Sequence, residues 1–185
     1  ALGPKVVDKL LVTRHLYGVL PDEITKDMNS LCAVSPGVLG ITGIETGEII
    51  RGIADRIKPS AIITIDALAS RRLSRLGTTI QICNTGIAPG SGVGNTRKRL
   101  DESSLGVKVI SIGVPTVVDG ATLVADLIDK SKTKSLSILP ESENMMVTPK
   151  EIDLLTEHAS KRIGMAINCA LQKNLSPEEI HSLVS

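Results

Sequence analysis

The stretches "AIITIDALASRR" (61–72) and "VKVISIGVPTVVDGATL" (107–123) decide the fold. Each opens on a run rich in β-branched residues, as a strand covered on both sides does. Each also carries an aspartate, Asp66 or Asp119, where the apolar run gives way to small residues. The residues after each aspartate have helical character: "ALASRRLSRL" reads as a short helix and "GATLVADLIDK" as a longer one. Upstream, "TGEIIRGIADRIK" places Ile49, Ile50, Ile53 and Ile57 on one helical face, with Thr46 as its N-cap. Strands alternating with helices require crossover connections, so the expected fold is a three-layer α/β arrangement, a mostly parallel sheet with helices on both faces.

Working outward, "GPKVVDKLLVTRHL" has the spacing of an amphipathic helix, and "LCAVSPG" and "TTIQIC" read as short strands. "VTPKEIDLLTEHASKRIGMAINCALQ" reads as one long helix over 149–172, packed on a sheet face, with Thr148, Pro149 and Glu151 in capping-box spacing. "SPEEIHSLV" repeats that start signal with Ser176, Pro177 and Glu179. The polar stretch "KSKTKSLSILPESEN" (130–144) loses periodicity and reads as a loop inside a single domain spanning 1–185.

Composition narrows the function classes. The chain has 185 residues, a net charge of +1 and one aromatic residue, Tyr17. Base stacking of the kind single-strand binders use is therefore not expected, and near-neutral charge gives no nucleic-acid footprint. "SRRLSRL" and "TRKR" are local basic clusters, read as solvated faces that a polar or acidic partner could use. Three cysteines, Cys32, Cys83 and Cys169, form no C-x-x-C and read as packing residues in a reducing cytoplasm. No stretch has the length and apolarity of a membrane span, and Ala1 opens no signal-peptide pattern. The missing initiator Met suggests a chain that has lost residues at its N-terminus.

Common catalytic signatures are absent: no H-E-x-x-H joins His15, His158 and His181, and there is no G-x-S-x-G elbow or glycine-rich run ending in GK[ST]. "PGSGVGN" (89–95) imitates a phosphate-cradling loop without its spacing. Asp66 and Asp119 remain. Ligands bind outside the carboxyl ends of parallel strands, where both aspartates are expected, on the same sheet edge. Two carboxylates sharing such a crevice raise each other's proton affinity, leaving one to donate a proton while the other activates water. The competing role is structural, because an Asp between strand and helix is also a favoured N-cap.

Longer motifs carry a resemblance. "SPGVLGITGIETGEII", "IDALASRRLSRL", "TIQICNTGIAPGSGVGNTRKRL", "VISIGVPTVVDGATLV" and "MMVTPKEID" together resemble the spore germination proteases, endopeptidases that degrade small acid-soluble spore proteins at germination. The resemblance implies a fold similar to the hydrogenase-maturation proteases, synthesis as a self-trimming zymogen, a homotetramer, and action inside the spore. It also implies that Asp66 of "IDALAS" is the catalytic aspartate and Asp119 of "PTVVD" its partner, in an atypical aspartic mechanism. The family pattern has a first strand and a "TPD" turn before "ALGP", and a longer segment before "MVTPKE", so a first strand is expected to be missing and 130–144 abbreviated. Two carboxylates without a nearby imidazole suit nickel or zinc poorly, so no metal or other cofactor is expected. The alternative is a non-catalytic module holding a phosphate or acidic peptide on "PGSGVGN".

Overall fold

In the computed structural model, residues 1–90, 97–128 and 145–184 are described. The loop expected at 130–144, and most of "PGSGVGN", lie outside them. The chain divides into two compact units, one of residues 36–155 and one of residues 1–35 with 156–185.

The 36–155 unit carries the sheet. Helix α3 (Leu39–Thr42) and helix α4 (Thr46–Ile57) precede β1 (Ala61–Ser70), and β2 (Gln81–Cys83), α5 (Glu102–Leu105), β3 (Lys108–Asp119), α6 (Gly120–Leu127) and β4 (Met146–Val147) come after it. β3 is the centre: β1 pairs with it in parallel, whereas β2 and β4 pair with it antiparallel. The fold is α/β as expected, but the sheet is mixed. The reason lies in the connection after β1. Only a 3-10 turn, Leu73–Arg75, separates β1 from β2, too little for a crossover helix, so the chain reverses direction.

β1 differs from its expected form. "ALAS" continues the strand to Ser70 instead of starting a helix, because each of its residues pairs with β3, Ala67 with Val114 through Ser70 with Val118. Ladder hydrogen bonds outweigh the helix propensity of two alanines. The register slips between Leu68 and Ala69, leaving Thr116 as the extra residue on β3. The Thr116 carbonyl is not wasted: the Thr148 hydroxyl donates to it at 2.9 Å. Thr148 is therefore a bulge anchor rather than the expected cap, and the long helix α7 begins later, at Ile152, running to Leu171.

At the start of the sheet, Leu100, Leu105 and Val109 form a buried apolar cluster with Ile50, Ile62 and Ile87 packed on it. Alternation along the strands puts Ile62 and Val109 on the face that also carries Thr64, Asp66, Ser111 and Gly113. α5 starts at a capping box, Asp101 accepting from the Ser104 amide while the Ser104 hydroxyl accepts from the Asp101 amide, a signal the sequence carries as "DESS". Thr46 is the first residue of α4 and Glu45 its N-cap, which makes no side-chain cap bond.

In the other unit, helix α1 (Leu2–Val7) stops far short of the expected "GPKVVDKLLVTRHL" helix, and "LCAVSPG" forms no strand. Single turns come next, at Arg14–Leu16 and at α2 (Asp22–Thr25). Leu2, Val6, Ile163, Ile167 and Ile180 are buried here, the last on α8 (Pro177–Val184). α8 keeps its expected capping box, with Ser176 and Glu179 bonding reciprocally.

Candidate active site

Asp66 and Asp119 occupy adjacent parallel strands but different levels of them. Asp66 is paired with Gly113 in the body of the sheet, while Asp119 is the last residue of β3. Five to six residue steps separate those levels, which at about 3.3 Å per residue places the carboxylates roughly 15–20 Å apart along the strands. Asp66 therefore does not lie at its strand's carboxyl end, where the sequence pattern puts it. Asp119 does.

The two environments act on the carboxyls in opposite directions. Asp66 is half-buried, and burial pushes its carboxyl above the ordinary carboxylate range against the opposing pull of one hydrogen bond, from the Ala67 amide at 2.8 Å. Asp119 is held below that range, first by the Thr122 hydroxyl on Oδ2 and then by the Thr122 amide on Oδ1, each at 2.7 Å. This is an N-cap on α6, so the capping role is real for Asp119.

Cross-strand rows complete the surroundings of Asp66. Gln81 pairs with Gly113 and Cys83 with Ser111, so the rows Asp66–Gly113–Gln81 and Thr64–Ser111–Cys83 lie side by side on one face. The Thr64 and Ser111 hydroxyls meet at 2.8 Å. Gly113 belongs to no catalytic motif, and a glycine inside a β-branched strand is the one sequence signal for a close approach there. An added Cβ would fall 2.4 Å from Leu68 Cδ1.

Cys83 is exposed, not packed as expected, and Cys32 is exposed too. The Thr85 hydroxyl, the Thr85 backbone and the Arg99 charge hold the Cys83 thiol below its ordinary range. Beyond Ser70, Arg71 and Arg72 line an open depression of about 670 Å³ with Leu73, Ser74 and Asp126. Its loop is tied to α6 by the Leu73 amide, which donates to Asp126 at 2.6 Å. Ser70, the residue before Arg71, pairs with Val118, the residue before Asp119. The described residues contain no group of three or more His, Cys, Asp or Glu side chains placed to hold a metal ion. No helix among them is long and apolar enough to cross a membrane.

Fold and site thus define an α/β chain whose conspicuous titratable groups are two carboxylates on paired parallel strands, one desolvated and one ionised. Comparison with known sequences gives its family. The profile of the germination protease family matches residues 1–137, and the chain belongs to that family. It is 49% identical to the germination protease of Clostridium acetobutylicum over its whole length, covering 65% of that relative. It is 47% identical to the one of Clostridium tetani, covering 66%, and 38% identical to the one of Bacillus licheniformis, where 96% of this chain covers 64% of the relative. The chain thus spans a little under two thirds of these relatives' length. The two clostridial comparisons extend over 212 positions, more than the 185 residues here, so these relatives carry additional residues inside the matched span.

Proposed function

We propose that this chain is the peptidase portion of a germination endopeptidase that hydrolyses small acid-soluble spore proteins, with Asp66 carrying the proton. The observation that carries this reading is the burial of Asp66 in the body of the sheet, which raises its proton affinity above that of an ordinary carboxyl. As a carboxylate it takes a proton from water while the oxygen adds to the scissile carbonyl. As the acid it returns that proton to the amine nitrogen when the C–N bond breaks. One group can perform both steps in turn, so the register that keeps Asp119 away from Asp66 is no obstacle. Asp119, ionised at the carboxyl edge, is the partner carboxylate: it accepts from backbone N–H groups of a substrate chain seated in the adjoining depression.

Membership in the germination protease family supports the peptidase assignment and the spore setting. The spore interior as workplace, a zymogen stage, a homotetramer, a three-layer hydrogenase-maturation-protease-like frame and metal-independence belong to the same proposal. The test is Asp66→Asn and Asp119→Asn in the intact protein, with cleavage of an unfolded spore-protein substrate and thermal unfolding read together. Activity lost by orders of magnitude in Asp66→Asn with the fold retained supports the assignment. Retained activity in both variants overturns it, and activity restored only by added metal after exhaustive chelation overturns metal-independence.

A further inference from the structure

We propose that Leu68, seated over Gly113, is the positioning residue that keeps water off Asp66. Asp66 faces Gly113, and Leu68 faces Pro115, one row further along the same face. A leucine in that place would ordinarily stand over its own row. Here it leans back: a Cβ built on Gly113 would lie 2.4 Å from Leu68 Cδ1 and 2.6 Å from Cγ. The isobutyl group thus fills the seat that a side chain at 113 would take, and cross-strand neighbours on one face stand about 5 Å apart at Cβ. The seat across from Asp66 on β3 is thus taken by Leu68 of its own strand, admitted by the absence of a side chain at Gly113.

The other described side chains on this face of the sheet are mostly uncharged. On the same face β1 offers Thr64, and β3 offers Ser111 and Pro115, all uncharged. β2 offers Gln81 and, one row away, Cys83, a second titratable group on this face, itself under the influence of Arg99. α4 and α5 turn Ile50 and Leu105 to the cluster, and their charged residues Glu48, Arg51, Asp55, Arg56 and Glu102 lie outside it. Arg51 is in turn paired with Asp55. Burial and the Ala67 amide are what act on the Asp66 proton.

This proposal deepens the reading of Asp66 as the proton carrier but is tested without it. The Asp66 carboxyl carbon is followed by NMR titration of the intact protein, its signal identified by loss in Asp66→Asn. In Leu68→Ala the midpoint should fall by about one pH unit toward the ordinary value, a tenfold change in the ionisation ratio. Leu68→Met, which refills the seat, should keep it high. An unchanged Asp66 midpoint in Leu68→Ala overturns the proposal. So does a wild-type Asp66 that titrates in the ordinary range, a measurement that stands even where a variant fails to fold. If the midpoint moves as expected while the acid limb of the cleavage profile stays fixed, Leu68 keeps this role and Asp66 loses its assignment as proton carrier.

Discussion

Asp66 and Asp119 are the same residue type placed under opposite pressures, and pH should separate them. Asp66 has its folded pKa raised, so it favours folding below its unfolded pKa and this contribution is lost as pH rises through the folded value. Near neutral pH the fold holds a desolvated carboxylate at a cost. Asp66→Asn should therefore unfold at a higher temperature than wild type at about pH 7, with the difference shrinking at about pH 3, where both forms are uncharged. Thermal melts at the two pH values check this, and a variant less stable at neutral pH would contradict it. Asp119 has the reverse sign: its contribution is present above its unfolded pKa and is lost as pH falls through the lowered folded value. Asp119→Ala should cost about 1 kcal/mol and Asp119→Asn only a few tenths, because Asn also caps α6. The capping function of Asp119 is legible in "VVDGATL". The setting of Asp66 is not, since "DALAS" has the look of a cap and first turn until Pro115–Val118 is known to lie beside it.

At the level of elements, the parallel β1–β3 pair explains most of what is and is not legible. Apolar runs locate both strands, because "IITI" and "VISIGV" suit a covered sheet whatever their partners are. Their ends are not legible, for pairing across dozens of residues sets them. Pro115 shows why: a proline argues against a central strand, yet it sits directly before the bulge and its carbonyl accepts from the Gly77 amide at 2.7 Å. A second long-range joint lies between Ile87 and Leu100, whose backbones exchange hydrogen bonds of 3.0 and 2.7 Å. Gly86, at φ +78°, makes that approach possible, because a Cβ there would stand 2.3 Å from the Leu100 carbonyl oxygen. Backbone cannot retreat as a side-chain tip can. Gly86→Ala should accordingly cost about 3 kcal/mol, combining left-handed strain with a steric clash. It should also loosen Leu100 from its cluster with Leu105 and Val109. Chemical denaturation gives the cost, and exchange of the Leu105 and Val109 amides shows whether the cluster is what gives way.

Across the whole molecule, a chain with one aromatic residue must hold its loops by means other than large apolar anchors, and the 1–35/156–185 unit uses buried amides. Asn168 accepts from the Leu11 amide and donates to the Lys9 carbonyl, each at 2.9 Å. Gln172 accepts from the Asn29 amide at 2.9 Å and donates to the Asn29 carbonyl at 2.8 Å, so it pairs with that backbone as a neighbouring strand would. The Thr13 hydroxyl joins them, donating to Asn29 and accepting from Leu31. These contacts explain why the helix expected through "VVDKLLVTRHL" ends early: its Lys9 carbonyl and Leu11 amide bond to Asn168 of α7, over 150 residues away, where helical spacing gives no warning. They also make Gln172, 1% exposed, a sensitive position. Gln172→Leu fills the same space but removes the acceptor of the part-buried Asn29 amide, a cost of about 1 kcal/mol, whereas the Asn29 carbonyl still has Thr13. The expected result is a lower melting temperature with faster exchange at the Asn29 amide first and at Leu31 next. Tyr17→Phe is the control, because its hydroxyl meets the Met28 carbonyl at the exposed surface, where water can replace it. If Gln172→Leu exchanges at Asn29 no faster than Tyr17→Phe, the amide pairing does not hold this segment, and packing around Ile167 must.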